Sequence, residues 1–285
     1  MIFINKHLRT LSLFRDDRLL LQYPISIGLN TLTDKAYLHD YATPEGNYKI
    51  LYKKNSKLYG WFLGISYPEA ADAWLAFFYG RIDEKTLKRI VKTLENKRFP
   101  PQDTALGGAL GIHGGGVFRK DENGTARDWT RGCVALNDED MAALYKVVKI
   151  GAAVRIFDSS KGFYAQMRPF VQPEMELPAP TPLEYWSGVL AVVTDVGRLQ
   201  LRLREDRQMA RTLEIQMFDE HGRLFLRISD TNADERLDDL DVVACSDEKY
   251  CDDLLEKLGV SIQVPNWETV YSRLRSEIIR TYFRY

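Results

Sequence analysis

Along the first fifty residues, apolar side chains recur at a two-residue period in short runs. Ile2 and Ile4 form one run, Leu11 and Leu13 a second, and Leu19, Leu21 and Tyr23 a third, with Asp16-Asp17 between the last two. Successive side chains of an extended chain point to opposite faces, so this period predicts β-hairpins packed on one face. Thr43-Pro44-Glu45-Gly46 reads as a turn between further strand-like pieces, because proline presets one backbone angle and glycine accepts positive φ. The period then changes. Leu87, Ile90, Val91 and Leu94 fall on one helical face behind Asp83, a residue type that caps helix starts. Met141, Leu144, Tyr145 and Val148 form a second such stripe between Asn137 and Gly151, ahead of a short strand Val154-Arg155-Ile156-Phe157.

Five of the eleven prolines lie between Pro169 and Pro182, a density that resists helix and sheet and predicts an extended spacer over 169–182. Beyond it, Leu213–Phe218 and Leu224–Ile228 read as a hairpin around His221-Gly222. Trp267, Val270, Tyr271, Leu274 and Ile278 read as an amphipathic helix starting after Pro265-Asn266. Two domains are therefore expected, 1–168 and 183–285. Charge supports the division: residues 1–182 hold 25 Lys+Arg against 20 Asp+Glu, whereas 183–285 hold 14 against 20. The second is an acidic α+β accessory domain, with a surface on which a protein partner is a possibility. A net charge of −1 argues against nucleic acid as partner. No stretch has the apolar length of a membrane span, and the first residues, Met1-Ile2-Phe3-Ile4-Asn5-Lys6, do not read as a secretory signal.

The chemistry concentrates in two places. His113-Gly114-Gly115-Gly116 is followed, twenty residues after the histidine, by Cys133 within Asp128-Trp129-Thr130-Arg131-Gly132-Cys133-Val134-Ala135-Leu136. A thiol is mostly protonated at neutral pH, so a nucleophilic cysteine needs a base or a positive neighbour. Cys133 is predicted on a loop entering the helix after Asn137, where free N–H groups and the positive helix end would favour a thiolate. From these residues alone, a structural histidine and a buried cysteine that never meet is an equal alternative. Trp61, Tyr67, Trp74, Phe77, Phe78 and Tyr79 read as core first and as a lid over a cleft second. Cys245 and Cys251 are close enough in sequence to pair. No metal is expected: no second ligand pair accompanies His113 and Cys133 at a zinc spacing. Asp230, Asn232, Asp234, Asp238 and Asp241 follow a calcium-loop spacing, but Glu235 stands at its glycine position and Asp241 replaces its glutamate.

The run Leu106-Gly107-Gly108-Ala109-Leu110-Gly111-Ile112-His113-Gly114, leading into Thr130-Arg131-Gly132-Cys133, resembles the catalytic motif of the L,D-transpeptidase family. The resemblance extends over most of residues 1–158 and includes the turn Thr43-Pro44-Glu45-Gly46. It implies a mainly β catalytic domain, an L,D-transpeptidase-like β-sandwich with short helices, ahead of a smaller α/β C-terminal domain. Many members have Ser-His-Gly-Cys, an apolar residue and then arginine. Here Arg131 stands in place of that histidine and Ala135 in place of that arginine, and the Asp-Trp-Thr-x-Gly-Cys-x-Ala-Leu form resembles a branch of the family.

The resemblance further implies acyl transfer on peptidoglycan stem peptides without a cofactor. Cys133 would attack the carbonyl of the third, diamino-acid residue and expel the terminal D-alanine, while His113 takes the thiol proton and returns it to the leaving amine. The N–H groups of Gly132 and Cys133 would receive the oxyanion. Arg131, Gly114, Gly115, Thr130 and Trp129 are the candidates for contact with substrate, the glycines because small residues let a bulky peptide approach. Transfer to an amine would form a cross-link. The alternatives are transfer to water, an L,D-carboxypeptidase, and a non-catalytic scaffold that only binds peptidoglycan. A periplasmic or cell-envelope location is expected from this substrate.

Overall fold

Ile2–Asn5 (β1), Thr10–Arg15 (β2) and Arg18–Pro24 (β3) form the antiparallel opening that the two-residue period predicts. Asp16 and Asp17, both at positive φ, make the turn between β2 and β3. The computed structural model describes residues 1–179, 182–237, 244–263 and 265–284. In it the chain divides into two compact units, Met1–Lys161 and Gly162–Tyr285.

The first unit is organised by β4 (Gly46–Ser56), the longest of its strands. Its first residues pair with β10 (Ala153–Phe157), and past an irregularity between Ile50 and Tyr52 it pairs with β5 (Gly60–Ile65). Such an irregularity bends a strand and lets it serve two halves of a sheet. With β6 (Gly111–His113) and β9 (Val134–Ala135), the strand order is β3-β2-β1-β10-β4-β5-β6-β9. A small hairpin, β7 (Arg119–Lys120) and β8 (Ala126–Arg127), lies in the connection between β6 and β9.

Three helices complete the unit: α1 (Ala70–Phe78), α2 (Glu84–Glu95) and α3 (Asp138–Val147). Asp83 caps α2 as predicted, accepting from the Thr86 N–H at 2.8 Å. In the aromatic-rich segment, Tyr67, Trp74, Phe77 and Phe78 are buried. Trp61 is partly exposed and stacks on Tyr145, so core packing accounts for most of that segment.

A buried ionic cluster fixes the turn before β4. Lys6 and Glu45, both fully buried, pair at 2.7 Å, and Lys161 reaches the same carboxylate at 2.6 Å. Lys6 Nζ also donates to the carbonyls of Thr33 and Thr43, and Asp34 accepts from the Glu45 N–H at 2.8 Å. Thr43, held in this way, accepts from the Gly28 N–H at 2.9 Å and donates to the Cys133 carbonyl at 3.5 Å. The cluster therefore reaches the cysteine loop in two steps.

In the second unit β11 (Gln172–Pro173), β12 (Tyr185–Thr194), β13 (Gly197–Asp206), β14 (Arg211–Phe218), β15 (Leu224–Asp230) and β16 (Ala244–Cys245) pair antiparallel in chain order. With them go α4 (Phe163–Met167), α5 (Glu248–Lys257) and α6 (Trp267–Phe283). The hairpin around His221-Gly222 and the helix capped by Asn266 lie where the sequence predicts them.

The unit begins ahead of the proline-dense stretch. Phe163, Tyr164, Met167 and Phe170 are buried, Phe170 packs edge-on against Phe283, and Gln172–Pro173 already pair with β12. Proline fits there because an edge strand has N–H positions that need no partner.

Asp230, the first position of the calcium-like spacing, is buried and accepts from the Tyr271 hydroxyl at 2.8 Å, which joins β15 to α6. Asp238 and Asp241 lie outside the described residues. Among the described residues no cluster of three His, Cys, Asp or Glu side chains is placed to hold a metal. Among the same residues no helix is long and apolar enough to cross a membrane. Cys133 is a free thiol, whereas Cys251 is disulfide-bonded.

Burial and the neighbouring Glu45 charge push the Asp34 carboxyl up to about 6, against the opposing pull of Lys6 and Lys161. An acid whose folded-state value lies above its unfolded value of about 3.9 binds more protons folded than unfolded between the two, so its contribution to stability falls as pH rises through that window. Asp34→Asn keeps the acceptor for the Glu45 N–H and removes the titration. Urea denaturation at a series of pH values should show the variant gaining about 1–3 kcal/mol on wild type between about pH 4 and 7.

Candidate active site

His113 ends β6 and faces Phe62 of β5 on one side and Ala135 of β9 on the other, in register. Alternate residues of a strand share a face, so Cys133, which leads into β9 two places before Ala135, is turned to the same side as His113. The parallel pairing of β6 and β9 thus places the histidine and the cysteine, twenty residues apart in sequence, on neighbouring segments of one sheet.

The imidazole is enclosed. His113 is only 3% exposed, its ring stacking on Tyr59 at 4.4 Å and on Phe62 at 6.1 Å, with Trp129 meeting it edge-on at 5.7 Å. Its Nδ1 lies 2.6 Å from the Gly114 carbonyl. A carbonyl only accepts, so Nδ1 carries the proton, and the Nε2 lone pair of the neutral ring is left free. Burial holds the His113 pKa below the ordinary histidine range; the Gly114 carbonyl opposes this and the Arg119 charge adds to it. That charge sits on the far side of Trp129, the guanidinium 3.8 Å above the indole, whose Nε1 donates to the Gly116 carbonyl at 3.0 Å.

Cys133 is half-buried, its sulfur 4.0 Å from the Ala109 carbonyl. Burial pushes the thiol up to about 11, opposed by the Gly111 N–H and by the charges of Lys35 and Lys54. Thiol and imidazole therefore both rest neutral. A neutral imidazole with a free Nε2 is the base that a protonated thiol requires.

The cysteine loop is fixed by its own side chains. Asp128 accepts from Arg9 Nε, Ser26 Oγ and the Ile27 N–H. Thr130 is buried, its backbone exchanging bonds with Ile27 and Leu29. The Thr130 hydroxyl donates to the Cys133 carbonyl at 2.6 Å and accepts from the Gly132 N–H at 3.2 Å. Gly132 has φ +120, and a Cβ there would lie 2.8 Å from the Ala42 carbonyl oxygen, so glycine is required at that position.

One sequence expectation changes, and the surroundings of the other candidate residues become visible. Cys133 leads into a strand and not into a helix: β9 intervenes, and the start of α3 serves the glycine turn, with Asp138 accepting from the Gly115 N–H at 2.7 Å and Asn137 from the Val117 N–H at 3.3 Å. No helix end stabilises a thiolate, in keeping with the raised thiol. The Gly132 N–H is bonded to Thr130 and is not an open oxyanion donor. Thr130 has both hydroxyl bonds inside the loop, so it shapes that loop. At Gly114 a Cβ would overlap the Asp138 carboxylate, and at Gly115 it would press on Tyr59 and Trp129, so these glycines admit the protein's own atoms.

Trp129 lies against the imidazole, as described. Arg131 is exposed and has no ion-pair partner among the described residues, which keeps it available to a ligand. Tyr59, Phe62, Arg119, Tyr52, Lys35 and Lys54 went unread in the sequence. Of these, Tyr52 and Lys54 carried a usable signal, since they alternate along the chain that follows the Thr43–Gly46 turn.

The sequence profile of the YkuD family, the L,D-transpeptidase catalytic domain, matches residues 1–156. The chain belongs to the L,D-transpeptidase family. Among solved structures it is similar to an L,D-transpeptidase from Stackebrandtia nassauensis, with 15% identity and TM-score 0.31, covering 55% of this chain and 54% of that one. It is similar also to a mutant L,D-transpeptidase from Enterococcus faecium, with 13% identity and TM-score 0.33, covering 55% and 48%. A third is L,D-transpeptidase 1 from Mycobacterium tuberculosis, with 10% identity and TM-score 0.30, covering 55% and 60%. The chain thus spans about half the length of these structures. No curated protein matches it.

The enclosure of His113 has a direct spectroscopic consequence. In this member of the family, NMR titration of labelled histidine should find the His113 imidazole protonating below the ordinary histidine range. Arg119→Gln, by removing a charge that opposes the imidazolium, should move that titration upward.

Proposed function

We propose that the chain catalyses cysteine-dependent acyl transfer on peptidoglycan stem peptides. The observation that carries this reading is the neutral His113, with Nδ1 committed to the Gly114 carbonyl and Nε2 free, on the same sheet face as the protonated Cys133 thiol. As sulfur attacks the carbonyl of the third, diamino-acid residue, Nε2 takes the thiol proton. The imidazolium then gives it to the amine of the departing D-alanine, leaving a thioester on Cys133. With the Gly132 N–H bonded to Thr130, the Cys133 N–H is the oxyanion donor on this reading. No cofactor enters the scheme.

The thioester next passes to an amine, forming a cross-link, or to water, trimming the stem. Cross-linking is the first reading. Because the substrate lies outside the cytoplasmic membrane, the enzyme works in the periplasm or cell envelope.

The test is incubation with a purified disaccharide-tetrapeptide, products being read by mass spectrometry. A dimer lacking one D-alanine is expected, and a tripeptide monomer would instead assign hydrolysis. Cys133→Ala should yield neither, and His113→Ala should slow turnover by roughly 10²–10⁴-fold. Activity should fall as pH drops through the His113 value, placing the acid limb of kcat/KM below the ordinary histidine range. Folded wild-type protein that releases no D-alanine would overturn the proposal.

A further inference from the structure

One row of side chains crosses the site face in register as Lys54, Phe62, His113 and Ala135, through β4, β5, β6 and β9. The next row runs Tyr52, Gly64 and Gly111, one place short of the cysteine strand. Two glycines in that row have a steric purpose. A Cβ on Gly64 would overlap the Tyr52 ring and one on Gly111 would overlap the Phe62 ring, so both rings lie across the rows instead of standing away from them. They stack at 5.9 Å, nearly parallel, and the Tyr52 hydroxyl pKa is raised first by burial and then by the nearby Cys133 sulfur.

Lys54 lies over this platform, its ammonium 4.8 Å from the Phe62 centroid and 5.5 Å from that of Tyr52. It is exposed and pairs with no carboxylate among the described residues. Several other lysines of the unit are committed. Lys6 and Lys161 pair with Glu45, Lys35 pairs with Asp40 at 2.8 Å, and the adjacent Lys53 donates to the carbonyls of Tyr145 and Val148. The Lys54 charge is felt at the Cys133 sulfur. An ammonium held over two aromatic faces beside a nucleophile, with no internal anion, is oriented for an anion that arrives with the ligand.

We propose that Lys54 binds a carboxylate of the donor stem peptide, and so selects which peptides enter the site. The proposal rests on the reading of the site given above. Two carboxylates have this chemistry: the C-terminal one of the leaving residue and the side-chain one of the diamino acid. The first would restrict the enzyme to peptides ending one residue beyond the scissile bond. The second would restrict it to diamino acids that carry a carboxylate.

Binding separates this proposal from the catalytic one, because it is measured without turnover. In full-length Cys133→Ala protein, calorimetry would compare the disaccharide-tetrapeptide, its C-terminal amide, and the analogue with lysine as third residue. A charge-assisted bond predicts roughly ten-fold or greater weakening for whichever analogue lacks the recognised carboxylate. Added Lys54→Gln should weaken the parent peptide by a similar factor and abolish the discrimination, while Lys54→Arg should restore part of it.

Loss of discrimination against the amide alone assigns the terminal carboxylate, and loss against the lysine analogue alone assigns the side chain. Unchanged discrimination in Lys54→Gln, or no discrimination in the parent protein, overturns the proposal. So does absence of binding by all three peptides. Release of D-alanine by the wild-type enzyme, measured separately, bears on the catalytic reading alone.

Discussion

Parallel pairing between a three-residue strand and a two-residue strand, β6 and β9, is the contact on which the site depends. A ladder this short has little stability of its own, and a parallel pair cannot be closed by a tight turn. It is held from outside. Ala135 bridges to Ser26, and Thr130 bridges to Gly28. The Lys6–Glu45–Lys161 cluster fixes Thr43 against the backbone of Cys133. Cys133, which leads into so small a strand, is therefore positioned by groups from the opening hairpins and from the end of the unit.

The surroundings of the pair explain its electrical state. Tyr59, Phe62 and Trp129 remove water from the imidazole, and burial around the sulfur disfavours the thiolate more than Gly111, Lys35 and Lys54 favour it. The same low-polarity setting strengthens any hydrogen bond made within it. On the proposed reading, two groups that both rest neutral make proton transfer from sulfur to Nε2 a part of the attack. The glycine turn after His113 contributes geometry: its carbonyl at Gly114 sets the tautomer, and Asp138 anchors the turn through Gly115.

Much of this was legible in the sequence, and the reasons for the rest are physical. Period-two runs located β1, β2 and β3, the capping residues Asp83 and Asn266 located two helices, and the motif around His113 and Cys133 pointed to the candidate site. Leu199, Leu201 and Leu203 alternate with Arg198, Gln200, Arg202 and Arg204, so β13 was available to the same reasoning and was overlooked. The helix after Asn137 was read correctly, but the two residues of β9 were too short to register as a period. For that reason the cysteine seemed to enter a helix. Tyr59 gave no local signal, because its role is a contact with a strand more than fifty residues away. Gly114, Gly115 and Thr130 are ambiguous in the sequence for a related reason: a glycine or threonine reads alike whether its space and bonds serve a ligand or the protein itself.

The protonated resting state of Cys133 also governs what else can react with it. Alkylating agents, peroxide and foreign disulfides consume thiolate in preference to thiol, and a sulfur whose pKa is pushed up to about 11 offers them little of it at neutral pH. The burial that raises the thiol pKa is therefore also what limits its side reactions. An exposed, low-pKa cysteine would be quicker with every electrophile than one that burial holds largely as the thiol.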